Sequence, residues 1–234
     1  MNIIEKKNYR GVDLLGAHLE KTNLIWANFQ GANLQEAYLI KANLTQADLQ
    51  RANLYRADLR GADLRGANFQ EANLQEANLQ GADLSNSYLL EGIGANLQGV
   101  NLQGANLQGV DLTRANLKGA NLQGANLQLS RLNLANLQGA NLQRVNFQGA
   151  DLYGANLHGA DLREADLYAA DLQKSDLQEA NLQEASFQEA NLHEAKLNNV
   201  KNLSLDQLSK VKTFHHAKLD DENFTLVKEE YVTT

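Results

Sequence analysis

The sequence predicts an all-β solenoid, a parallel β-helix closed at its carboxy-terminal end by α-helix. Three observations carry this. A five-residue phrase recurs from Val12 to Asn199, clearest over Ala95 to Gln128 as ANLQG VNLQG ANLQG VDLTR ANLKG ANLQG ANLQ. Glycine falls at the fifth place of that phrase in 14 of its 17 occurrences. The phrase stops at Lys201, where Ser204-Leu205-Asp206-Gln207 begins a different pattern.

A period of five fits neither the 3.6 of a helix nor the 2 of a simple strand. Within each unit the small residue and the Leu stand two apart, and residues two apart in an extended segment point to one side. The unit is therefore a short strand with two inward side chains and an outward Asn or Asp between them. Two further residues turn the chain, and stacked turns pair as parallel strands. Glycine at the fifth place supplies the positive φ of a tight turn without steric cost. Where Glu, Arg, Lys or Trp stands there, another turn type is expected.

These A(N/D)LXX units resemble the pentapeptide-repeat family, over 16 units in Val12 to Glu91 and 21 in Ala95 to Asn199. The resemblance implies a right-handed quadrilateral β-helix with four units per coil, and right-handed parallel crossovers are the general expectation. Aromatic spacing agrees: Tyr9 and Phe29 are 20 apart, and Phe29 and Phe69, like Phe147 and Phe187, are 40 apart. One unit cannot stabilise itself. A buried Leu contributes roughly 1.5–3 kcal/mol, against about 5 kcal/mol or more to order five residues of backbone.

In chain order, residues 1–11 form a lead-in that covers the first coil. Residues 12–199 form the β-helix, interrupted at 92–94 by Gly92-Ile93-Gly94, read as a bulged corner in preference to a recognition loop. Residues 200–234 form the carboxy-terminal end. There Ser204 and Gln207 make a capping box and Leu203 and Leu208 a hydrophobic staple, which predicts a helix over about 205–214. Asp220 starts a second helix. The stretch LSLDQLSKVKTFHHAKLDDE resembles the carboxy-terminal helical ends of cyanobacterial members of the family, and the resemblance allows a dimer through this end.

Composition limits function. With 234 residues and one continuous repeat, a single solenoid is expected. A net charge of −7 disfavours direct nucleic-acid binding. There are no cysteines and no prolines, so thiolate metal sites and disulfides are excluded. No apolar run is long enough to cross a membrane, the amino terminus lacks a signal-peptide pattern, and a cytoplasmic location is the expectation. No catalytic residues, cofactor or metal ligands are expected. His215 and His216 are adjacent and cannot share a helix face, and His18, His158 and His193 fall on separate coils.

Two features stand out. Ile25, Trp26, Tyr38 and Ile40 are apolar at outward places and form a candidate anchor for a protein partner of unknown identity. Nine acids (Asp161, Glu164, Asp166, Asp171, Asp176, Glu179, Glu184, Glu189 and Glu194) stand against Arg163 and Lys174, an acidic collar of net −7. The expected function is a non-enzymatic protein–protein interaction scaffold. The resemblance supplies an alternative, since some family members bind or inhibit DNA gyrase by mimicking DNA. Two arguments oppose it: the charge is thin, and a collar is not a stripe.

Overall fold

The structure, a computed structural model, describes residues 7–84 and 95–220. Each Asn/Asp position pairs in parallel with the equivalent position twenty residues on, as in Asn33 with Asn53 and Asn121 with Asn141. Four five-residue units therefore make one coil. Four flat faces result, which begin at Asn8, Asp13, His18 and Asn23 and are numbered first to fourth here. A corner of the same number follows each face.

The unit Ala120 to Gly124 shows why the phrase has this form. The Ala120 amide closes the preceding corner on the Leu117 carbonyl at 3.0 Å, the Asn121 amide donates to Val100 at 2.9 Å, and the Leu122 amide donates to Asn141 at 2.8 Å. The Gly124 amide donates to Gln143 at 2.8 Å. The remaining amide, that of Gln123, donates to Oδ1 of Asn121 at 3.2 Å. All five donors are satisfied, the last by the Asn side chain, and buried or half-buried amides require such partners. Asn and Asp supply that oxygen equally well. Asn adds a second bond, from Asn121 Nδ2 to Asn101 Oδ1 one coil below at 3.3 Å.

The small residues and the Leu residues point inward as the period requires. Leu107, Leu117 and Leu122 are fully buried beside Ala105, Ala115 and Ala120, and Phe29, Phe69, Phe147 and Phe187 take Leu places. Tyr9 stacks on Phe29 with ring centroids 4.8 Å apart, the twenty-residue alignment expected.

Four expectations are corrected. First, the lead-in is shorter than 1–11: Asn8 pairs with Asn28, and Gly11 has the corner φ of 65°, so Lys7 to Gly11 is already a unit of the ladder. Second, non-glycine corners do not use a separate φ. Trp26 (61°), Glu36 (56°), Arg114 (59°) and Ala169 (53°) adopt the same positive φ as the glycines. Their amide donates to the coil above, so the ladder holds them there despite the cost to an L-residue.

Third, the interruption is longer than 92–94. Asn68 pairs with Asn96 and Asp83 with Asp111, each 28 residues on, eight more than the regular twenty. The described ladder passes from Asn68 directly to Asn96, and the expected unit Ser87 to Glu91 lies outside the described residues. The Ala95 amide donates to the Leu84 carbonyl at 3.2 Å, the ordinary corner bond, with ten residues between them where a corner has two. Tyr88 and Gly92 to Gly94 themselves lie outside the described residues.

Fourth, the helix expected over 205–214 is the single turn α1, Leu205–Ser209. Its capping box is present as predicted. Beyond it the chain rejoins the ladder: Thr213 pairs with Asn191 and Lys218 with Lys196, 22 residues apart. These pairings satisfy the backbone that helix would otherwise have to satisfy, so helix propagation stops. Gln207 is buried and its Nε2 donates to the carbonyls of Leu182 (2.7 Å) and Ala185 (2.8 Å); Leu182 also keeps its corner bond from the Ala185 amide at 3.1 Å, so Ala185 is the carbonyl whose ladder donor the side chain replaces. The second helix start at Asp220 runs into residues outside those described.

Candidate interaction face

The four residues Ile25, Trp26, Tyr38 and Ile40 do not share one place. Ile25 and Trp26 sit on the fourth corner of the first coil, where the Trp26 amide donates to Thr45. Tyr38 lies on the third face, stacked on His18 at 4.8 Å, and Ile40 on the third corner. The fourth face separates the two pairs. Tyr38 is exposed, and the other three are half-buried.

The acidic collar spreads over all four corners, and three of its acids, Asp161, Glu164 and Asp176, pair with Arg163, Arg144 and Lys196. Glu164 and Glu184 fall on the second corner, Glu179 on the first, Glu189 on the third and Glu194 on the fourth. Arg163 holds the Asp161 carboxyl below the usual range by its side-chain hydrogen bond, and Arg144 does the same for Glu164. Burial works against ionisation of Asp176, yet Lys196 and the Gln178 amide keep it below the usual range. Glu179 stands 3.7 Å from His158. Gln148 donates to Asp166 and Gln173 to Asp171. Arg144 and Lys196 lie outside the 161–194 window, so counting charge along the chain overstates the field.

A row along the rod, missed in the sequence, lies on the fourth face: Asn23, Asn43, Asp63, Asp83, Asp111, Arg131, Asp151, Asp171, Asn191 and Thr213 pair successively. Five of these are Asp. Counting by twenty finds the row only once the step of 28 across the interruption is known.

Arg131 is the break in this row. From Asn43 to Asn181 every other paired position in the described residues holds Asn or Asp. Arg131 has no oxygen to accept the amide two residues on, so the corner loses its side-chain bond. Its guanidinium instead reaches down to Asp111. The residues on either side also depart from the phrase: Leu129 is 62% exposed and Leu134 48%. Leu129 stands on the third corner and Leu134 on the fourth, the two edges of the fourth face.

Tyr168 lies farther along the third corner and Tyr153 beside Leu134 on the fourth, both exposed. All four exposed large apolar residues in the described part of the second half therefore frame one face. Two glycines make room. A Cβ on Gly149 would come within 2.9 Å of Leu129 Cδ2, and one on Gly154 within 2.8 Å of Leu134 Cδ2. Each exposed leucine lies over the glycine of the next coil. Lys174 stands over the Tyr153 ring at 5.5 Å, and a groove lined by Tyr168, Asp171, Gln188 and Lys212 continues the face toward the carboxy-terminal end.

The fourth corner collects the remaining irregularities. Along it lie Ile25 and Trp26, the opening between Leu84 and Ala95, Leu134, Tyr153, Lys174, and finally His193 and Glu194 below His215. In the sequence these are scattered.

Comparison with known proteins places this geometry. The pentapeptide-repeats family model matches residues 8–35, 27–66, 52–89, 95–133, 130–168 and 165–201. The chain is similar to HetL of the cyanobacterium Nostoc sp. strain PCC 7120, a pentapeptide repeat protein involved in heterocyst differentiation regulation. The two are 31% identical over 91% of this chain and 89% of that one, with a TM-score of 0.80. Rfr23 of the cyanobacterium Cyanothece 51142 is 31% identical over 55% of this chain and 86% of its own, with a TM-score of 0.33. The plasmid-mediated fluoroquinolone resistance protein QnrB1 is 18% identical over 93% and 94%, with a TM-score of 0.38. No curated protein matches the chain.

Proposed function

The chain belongs to the pentapeptide-repeat family, and from that premise we propose that it is a non-enzymatic interaction rod whose fourth face docks a protein partner. The observation that carries this reading is Arg131. It replaces the repeat's own capping residue and gives up a hydrogen bond, with an exposed leucine on either side and an Asp above and below. A local rule broken, with only an exposed ion pair to Asp111 in return, marks a place where something else is served. Leucine and tyrosine along both edges offer apolar anchors. The row between them, five Asp against one Arg, favours a partner segment that mixes apolar with basic side chains. Ile25 and Trp26 extend the fourth-corner edge toward the amino terminus and serve as a further anchor.

A photo-reactive residue placed at position 134 tests the reading in cells of the source, with position 55 on the second corner as control. One discrete cross-linked protein is expected from 134 and none from 55. Leu129→Asp, which adds charge at an exposed place and leaves melting unchanged, should remove the adduct. Equal adducts from both positions, or an adduct indifferent to Leu129→Asp, would sink the proposal.

DNA mimicry is the second reading, favoured only by the Asp row. From Asp63 to Asp171 that row spans five steps of about 4.8 Å, roughly 24 Å, where duplex DNA carries roughly 14 charges. The row carries a net of −4, from five Asp and one Arg, and Arg65 engages both Asp63 and Asp83. Inhibition of gyrase supercoiling at one rod per enzyme, lost in Asp151→Asn with Asp171→Asn, would reverse this preference.

A further inference from the structure

We propose that the carboxy-terminal end of the fourth corner is a binding site for a divalent transition metal of the zinc type, formed by His193, His215 and His216 with Glu194. The reading of His215 and His216 as neighbours on a helix does not hold, because both lie on a corner of the solenoid. His216 takes the corner φ of 59°. The Glu194 amide donates to the His215 carbonyl at 3.0 Å, so the dipeptide His193-Glu194 lies directly beneath His215-His216. Four side chains of ligand type thus occupy two adjacent corners, two by two.

The rings already associate. His193 and His215 are parallel within 2° with centroids 5.8 Å apart, His193 and His216 are 5.8 Å apart, and His215 and His216 3.8 Å. Glu194 Oε1 is 3.1 Å from His193 Nε2. Among the described residues no three donor groups stand already arranged around one point. Ligation requires the rings to turn toward one point. Two nitrogens on one tetrahedral zinc lie about 3.3 Å apart, given Zn–N bonds of about 2.0–2.1 Å. His215 and His216 are exposed and the His193 side chain is 32% exposed, so χ rotation meets no packed wall.

Neutral imidazole is the ligand form, and imidazole with one carboxylate suits zinc, nickel or copper better than magnesium or calcium. A bound ion would tie the terminal segment around Thr213 to Lys218 onto the coil below it, a staple placed after α1 where the ladder has just been interrupted.

Titration of the untagged full chain with zinc chloride at pH 7.5, followed by calorimetry, tests this. One saturable ion per chain is expected, with affinity at least tenfold weaker in His193→Asn and in His215→Asn and unchanged in His158→Asn, each variant checked by its melting curve. The parent itself supplies a second measurement. Magnesium chloride in place of zinc chloride should give no saturable binding, so a parent chain that takes magnesium as tightly as zinc carries a carboxylate site and overturns the assignment. Absence of saturable binding, or equal effects of His158→Asn and His193→Asn, overturns it as well.

Discussion

At the scale of the residue, each place in the phrase answers to one demand, and the demands can be separated by substitution. The fifth place must hold positive φ. Gly159 has φ 65° with nothing within 4 Å of an added Cβ, so Gly159→Ala tests backbone strain alone. It should cost about 1 kcal/mol, read as a lower denaturation midpoint. Ala169 sits at φ 53°, and Ala169→Gly should shift the midpoint the other way by about 0.5 kcal/mol, less than the full strain because glycine also loosens the unfolded chain. Two shifts of the same sign would refute a strained corner. The inward and outward places were legible in the sequence because residues two apart share a side in any extended segment. The corner φ at Glu, Arg and Trp was not. Propensity assigns that region to glycine, whereas here hydrogen bonds to the coil above hold the backbone in it. Charge adds a pH dependence. Asp58 and Asp161 are held below the usual carboxylate range by Arg60 and Arg163. Their contribution is present above the unfolded pKa near 4 and is lost as pH falls through the lower folded value. Stability should therefore drop on acidification from pH 4 to pH 2, and Arg60→Gln with Arg163→Gln should flatten that drop in a thermal-melt series.

At the scale of the element, the coil is the unit that lives or fails. Leu107 is fully buried between neighbours above and below. Leu107→Asp places a charge where nothing can pair it and should destabilise by about 4 kcal/mol or more. Melting unchanged from the parent would contradict the inward assignment. The turn α1 depends on one side chain in the same way. Gln207→Leu would leave the Ala185 carbonyl without its donor, while Leu182 keeps the Ala185 amide, at about 1–3 kcal/mol for the buried group left unsatisfied. Hydrogen exchange should quicken at residues 182–187 before it does in the middle of the rod. The capping box at Ser204 and Gln207 was legible because its residue types and spacing are local. The length of α1 was not, because the competitor is a distant partner: Asn191 and Lys196 recruit Thr213 and Lys218 into the ladder. The one local signal is Ala217-Lys218-Leu219, which repeats Ala195-Lys196-Leu197 with Lys in the place of Asn or Asp.

At the scale of the whole molecule, faces and corners matter more than order along the chain. The proposed fourth-face site draws on Leu129, Arg131, Leu134, Tyr153 and Tyr168, which are scattered along the chain and meet only through the coiling. Trp26 and the interruption drew notice separately, and their common corner emerges only from counting coils. The step of 28 between Asp83 and Asp111 hid that column. It also makes a prediction. Replacing residues 85–94 by Gln-Gly, the corner pair of many neighbouring units, restores the step to 20 and should give a chain that melts no lower than the parent. A large loss of stability would mean that the ten residues support the rod. The bond from the Ala95 amide to the Leu84 carbonyl has a wider meaning. It holds Leu84 and Ala95 at the separation of an ordinary turn, so the register of the described coils on either side does not depend on the length of chain between them. Foreign peptides grafted there would be displayed from a rigid frame, and the frame itself could be lengthened or shortened by whole coils without retuning the graft.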